Sequence, residues 1–131
     1  MREYRFDPQG QLPVVRSTII GPKGQKQVTL VFDSGCAETQ IHHKVLSLVG
    51  CGEDQKIRDV TVAGAYGEGE PAFVVIMPCL RAIGERFEGI EIIGIDFSKW
   101  ADAGIEGLLG WDLIRSLHFE MNGPQGLLKI F

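Results

Sequence analysis

Apolar residues in this chain come in short runs rich in Val and Ile, divided by 17 glycines. Such a pattern predicts many short strands and leaves no room for a helical bundle. Leu12–Ile20 and Lys26–Phe32 read as two strands joined across Gly21-Pro22-Lys23-Gly24, with Val28, Leu30 and Phe32 on one face by the two-residue period. Lys56–Ala65, Ala72–Cys79 and Phe87–Ile95 read as further strands, the last with Ile90, Ile92, Ile93 and Ile95 as core candidates. Helical spacing is confined to Ile41, Val45, Leu48 and Val49, stopped by Gly50 and Gly52, and to a two-turn stretch carrying Leu113, Ile114 and Leu117. Ser98–Gly104 reads as a loop. Ile105–Leu109 is a short strand entering Gly110-Trp111-Asp112, and His118–Met121 with Leu127–Phe131 forms a closing hairpin. The expected fold class is mainly β with one or two short helices.

At 131 residues the chain is shorter than the ~150 residues typical of one domain, so a single domain over 1–131 is expected, its core within 12–130. A chain of that size buries roughly two-thirds of its unfolded surface, enough for a core without metal or disulfide staples. Hydrophobic content of 44% against 23% charged residues excludes intrinsic disorder. Thirteen Lys and Arg against 17 Asp and Glu give a net charge of −4, and the basic residues are scattered along the sequence. Nucleic acid is therefore not an expected partner. The densest apolar stretch, Ala72–Met77, is ended by Pro78 and is too short to span a bilayer. Met1–Asp7 lacks the apolar core of a secretory signal, and Cys36, Cys51 and Cys79 are an odd number without a CxxC pair. A reducing, cytoplasmic location with no membrane partner is the expectation.

Chemistry concentrates where Val28–Phe32 ends in Asp33-Ser34-Gly35-Cys36. Asp-Ser-Gly alone is ordinary turn chemistry. Here a preceding β run sets Asp33 at the end of a core strand. A second motif, Gly107-Leu108-Leu109-Gly110-Trp111-Asp112, follows much later and opens a helix.

With both motifs in this order, the sequence resembles the retropepsin-like aspartic proteases, including their bacterial single-domain relatives. In that family a hydrophobic strand ends in Asp-Thr/Ser-Gly-Ala, and an apolar pair, Gly, a variable residue and Asp or Asn come later. Thr39 and Ile41 also stand at matching places, and the closing hairpin is similar, so the resemblance spans Leu12 to Ile130. Cys36 replaces the usual Ala, and Trp111 stands where retroviral members usually carry Arg.

The resemblance implies a closed, partly orthogonal β-barrel with a flap hairpin. It implies an aspartic endopeptidase acting on extended peptides or proteins, with Asp33 catalytic and no metal or cofactor. Two carboxylates must share one proton around a water, and this chain has one Asp-Ser-Gly. Asp112 lacks the following hydroxyl and glycine. A homodimer is implied, with Ser34 gripping the paired loops, Gly35 allowing their close approach, and Leu108, Leu109 and Gly110 packed beneath. Thr39 is expected to be structural. Gly64, Tyr66 and Gly67, in the turn Gly64–Pro71, occupy the place of the flap. The apolar end Leu127–Phe131 would leave an open strand edge unless it pairs, and the resemblance implies pairing in a dimer sheet.

Other readings are weaker. Cys36, His42, His43 and Cys51 match no zinc spacing, and adjacent histidines are not expected to share a face. A Cys36–His42 dyad lacks an orienting third group. Gly67-Glu68-Gly69-Glu70-Pro71-Ala72 resembles a dinucleotide loop only superficially, with acids where a pyrophosphate would sit and no helix after it. The competing class is a catalytically inactive domain of the same fold that dimerises or binds peptides.

Overall fold

A computed structural model describes residues 1–63 and 69–131. Its elements in chain order are β1 (Arg2–Arg5), β2 (Val14–Gly21), β3 (Gly24–Phe32), β4 (Gln40–His42), α1 (His43–Leu48), β5 (Arg58–Ala63), β6 (Gly69–Ala82) and β7 (Glu85–Ile95). They are followed by β8 (Gly107–Leu109), α2 (Trp111–Ile114), β9 (Phe119–Asn122) and β10 (Leu127–Ile130). Short 3-10 turns occupy Glu53–Gln55 and Ser98–Ala103.

Strands β2, β3, β8, β4, β7 and β6 are hydrogen-bonded in that order, and β6 pairs back onto β2, closing a six-stranded barrel. The fold is mainly β, as the short Val- and Ile-rich runs predict. Strand β6 makes the closure possible because its two halves have different partners. Gly69–Val74 pairs with β5 and Cys79–Ala82 pairs with β2, while β7 follows along most of its length. Pro78 sits in the gap between those two partners, where its missing N–H breaks neither ladder. The apolar run ends at Pro78 in the sequence, yet the strand continues through it to Ala82.

Two apolar clusters divide the faces of β6. Phe73, Val75 and Met77 join the main core with Ile19, Leu30, Ile41, Ile92 and Leu109. Ala72 and Val74, on the other face, pack with Ile93, Ile95 and Phe97. Burial on both faces explains why Ala72–Val75 is continuously apolar rather than alternating.

Several local expectations are corrected. Gln40–His42 is a strand, so α1 starts only at His43; wedging against β7 and β8 outweighs the helical spacing there. The 98–104 segment is mostly a 3-10 turn rather than a loop, stabilised at its start by Asp96, whose Oδ1 accepts the Ser98 N–H at 2.8 Å. Helix α2 is a single turn. The N-terminal residues, which show no strand pattern, form β1 along β10, while β9 covers the other side of β10. The apolar edge at 127–131 is thus paired within the chain. Tyr4 and Phe6 pack against the core, which recruits an otherwise charged segment.

The β6–β7 turn is Ile83-Gly84, flanked by the pair Ala82 and Glu85, with positive φ at both positions (49° and 73°). Such a two-residue turn matches strand twist, but a β-branched residue is rarely found in it. Ile83 is held there by burial of its side chain.

Candidate active site

Asp33 is the first residue after β3, and its neighbour in space is β8. The chain leaves β3, loops through 33–39 and returns as β4, while β8 inserts between these two consecutive strands, parallel to β3 and antiparallel to β4. The loop therefore wraps the end of β8. The Asp33 N–H donates to the Leu109 carbonyl at 3.0 Å, continuing the ladder one residue past the strand. The Gly35 N–H donates to Asp33 Oδ1 at 3.0 Å, and the Cys36 N–H to the Asp33 carbonyl at 3.2 Å. These bonds orient a half-buried carboxylate whose Oδ2 accepts no hydrogen bond among the described residues.

The far side of the loop is clamped by Thr39 and Asp112. Thr39 is fully buried. Its hydroxyl donates to Asp112 Oδ1 at 2.7 Å and accepts the Gly110 N–H at 3.0 Å. Its own N–H donates to the Asp112 carboxylate at 3.1 Å. The Trp111 and Asp112 N–H groups donate to the carbonyls of Cys36 and Ala37 at 2.7 and 3.1 Å. Gly110 is required by closeness: a Cβ there would lie 2.7 Å from the Glu38 carbonyl carbon and 2.9 Å from the Cys36 oxygen. Leu109 is fully buried beneath the loop, and Leu108 faces the cleft. The expected structural role of Thr39 is what this geometry gives it. Asp112 is saturated by Thr39 and the Leu113 N–H, and its part as the anchor of the loop is not readable from its own motif.

Ser34 is exposed, and its hydroxyl has no hydrogen bond among the described residues. A Cβ on Gly35 would meet only Asp33 Oδ1, at 3.4 Å, so nothing within the described chain demands glycine there. Cys36 donates its thiol to the Glu38 carbonyl at 3.1 Å. Burial pushes its pKa up, and the charges of Asp33, Asp112 and Glu38 push it the same way, against a lowering contribution from the Glu38 backbone. The thiol is thus kept protonated beside the carboxylate. Trp111 contributes its backbone to the clamp while its side chain stays largely exposed.

Asp33 opens into a cleft of about 950 Å³, within the range of ligand sites. One wall is the 33–38 loop, the other is β5 from Val60 to Ala63 with Glu70, and Ile93, Ile95 and Leu108 make an apolar floor. A second recess of about 350 Å³ shares Asp33, Gln40, Glu70 and Trp100 and continues to Asp96 and Phe97. Glu38, Glu70 and Asp96 line these spaces with Asp33, and no Lys or Arg does among the described residues. Glu70 and Trp100 are cleft residues that the sequence motifs do not mark. The flap expectation for Gly64, Tyr66 and Gly67 falls outside the described residues; β5 and β6, which lead to them, border the cleft.

The adjacent histidines do meet, contrary to expectation. His42 ends β4 and His43 begins α1, and this change of geometry brings their rings to 4.9 Å. With Asp96 they place one ligand atom each within 4.8 Å of one another. The His42 Nδ1 lone pair already accepts the Phe97 N–H at 3.0 Å, so metal binding would have to break that bond or strip the Nε2 proton.

No protein-family model matches the chain, and no curated protein matches its sequence. Solved structures do match. The crystal structure of a retropepsin-like aspartic protease from Rickettsia conorii superposes with a TM-score of 0.68 at 16% identity, over 100% of this chain and 99% of that one. The retroviral protease-like domain of Ddi1 from Leishmania major superposes at 0.58 and 15% identity, over 93% and 90% of the two chains. The barrel, the strand threaded through its loop and the end-to-end superpositions converge on one architecture: this chain has the retropepsin-like aspartic protease fold.

Proposed function

We propose that residues 12–130 form the core of one protease domain, and that the chain is an aspartic endopeptidase active as a homodimer. One observation carries the reading: the Asp33 carboxylate is fixed at the mouth of a peptide-sized cleft by a loop that the Leu109–Asp112 segment clamps from behind. The solved structures that share the fold carry the names of aspartic or retroviral-type proteases.

The chemistry draws on carboxylates and water alone. Two acids about 3 Å apart cannot both ionise, so one holds a proton. The ionised partner takes a proton from a bound water as its oxygen attacks the scissile carbonyl, and the protonated partner donates to the carbonyl oxygen. One Asp33 supplies one acid, and Asp112 is committed to Thr39. The second acid therefore comes from the partner's Asp33 across a two-fold axis. An exposed Ser34 without a hydrogen bond, and a Gly35 without a steric constraint, among the described residues support a loop that finds its contacts in another subunit. In this reading the segment joining β5 and β6, which carries Gly64, Tyr66 and Gly67, serves as the flap that holds an extended peptide and excludes water. Three free cysteines suit a reducing, cytoplasmic setting.

The test is cleavage of a mixed peptide library by the wild type and by Asp33→Asn. Cleavage by the wild type should be abolished in the variant, with circular dichroism and sedimentation unchanged. Undiminished cleavage by Asp33→Asn would reject the mechanism, and peptide binding without cleavage by the wild type would make the domain a binding module.

A further inference from the structure

Away from the cleft, the strand register collects arginines that the sequence scatters. β2 and β6 part company beyond the pair Ser17–Ala82, and the Ile83-Gly84 turn folds back beside them. A pocket of about 380 Å³ lies there, lined by Arg16, Arg81 and Arg86 and by Ser17, Thr18 and Tyr4 among others. It shares no residue with the two spaces around Asp33.

Two features make this pocket more than a basic surface. Arg81 and Arg86 are direct cross-strand partners, a placement that costs stability when both carry the same charge. Arg86 is offset by Glu88, and the acidic lining residue Glu85 is engaged by Arg2. Arg16 and Arg81 form no ion pair among the described residues. The second feature is a cross-strand row: Gln27, Thr18, Arg81 and Arg86 are successive register partners on β3, β2, β6 and β7, so their side chains share one face, with Arg16 two residues before Thr18 on that same face. Ser17, opposite Val28 and Ala82, points to the core face instead.

We propose that this pocket binds a small phosphate-bearing ligand. Guanidinium groups recognise phosphate through paired N–H donors, and a hydroxyl adds a further donor to a tetrahedral oxyanion. Arg16 and Arg81 supply the charge and Thr18 and Gln27 add neutral donors on the same face, while Arg86 adds to the local potential. In a chain of net charge −4, this is a local reversal of sign that an anion would find. The site is independent of the protease reading, so its test needs no cleavage.

The test is thermal unfolding of the full chain titrated with inorganic phosphate and, separately, phosphoserine, against sodium chloride at matched ionic strength. Both phosphates should raise the unfolding midpoint above the chloride control, as a ligand bound only to the folded state must. Arg16→Gln and Arg81→Gln should each weaken the apparent affinity by roughly tenfold or more, as loss of a charge-assisted contact implies. Arg81→Lys, which keeps the charge but loses the fork, should retain only part of it and covers the case of a poorly folding Gln variant. Thr18→Val removes the hydroxyl at constant size: it should weaken phosphate binding with little change in the unliganded midpoint. Amide resonances of Thr18 and Gly84 should shift on titration. Tighter binding of phosphoserine supports a phosphate ester as the ligand; equal binding supports the free anion. A phosphate effect no larger than that of chloride, or unchanged affinity in Arg16→Gln and Arg81→Gln, would overturn the proposal.

Discussion

Thr39 joins two distant pieces of chain through one hydroxyl, which both donates to Asp112 and accepts from Gly110. Thr39→Val should cost about 2 kcal/mol in denaturant unfolding, because it strands a buried N–H and removes a charge-assisted bond. Gly110→Ala should cost at least that much, since its Cβ would meet backbone 2.7 Å away rather than a side chain free to move. In both variants peptide cleavage should fall more than the folded fraction does, because the Asp33 loop loses its anchor. Cys36 offers a pH test. Its pKa lies above the ordinary 9.0, so less thiolate exists at any given pH than in an exposed cysteine. Iodoacetamide should label it more slowly than a model thiol at pH 7.5, with the rate still climbing above pH 9; labelling as fast as the model thiol would contradict this. The turn at Asp33-Ser34-Gly35 and the Gly110 segment packed against the loop were legible in the sequence because each sits inside a contiguous motif. The anchoring role of Asp112 was not, because its partner Thr39 lies 73 positions away and only the threading of β8 between β3 and β4 joins them.

Among the elements, β6 does the most. Its apolar run was legible, but its length was not: Pro78 reads as a terminator until the strand is seen to change partners around it. β1 was illegible for a related reason, since Arg2-Glu3-Tyr4-Arg5 has no apolar alternation and becomes a strand only by pairing with β10. The arginine pocket was hidden the same way, because register and not sequence distance brings Arg16, Arg81 and Arg86 together. The cleft carries a prediction of its own. Its described lining is apolar with Glu38, Glu70 and Asp96 and without a cation. Peptides with Lys or Arg beside the scissile bond should be cleaved with kcat/KM roughly tenfold above their Glu counterparts, the worth of one or two partly screened charge contacts. The ratio should shrink in 0.5 M salt (about a 4 Å screening length) and in Glu70→Gln. Equal rates for both peptides would contradict a selective role for these acids.

On the proposed reading, a shared reaction centre makes the activity depend on concentration, since a dimer forms by mass action. The sharpest measurement mixes wild-type chain with increasing amounts of Asp33→Asn at constant total protein, allowing subunits to exchange before peptide cleavage is measured. If both carboxylates are needed, activity should fall as the square of the wild-type fraction, because a mixed dimer holds only one. A decline in direct proportion to that fraction would mean that each chain works alone, and the account of a site completed by its own copy would be wrong.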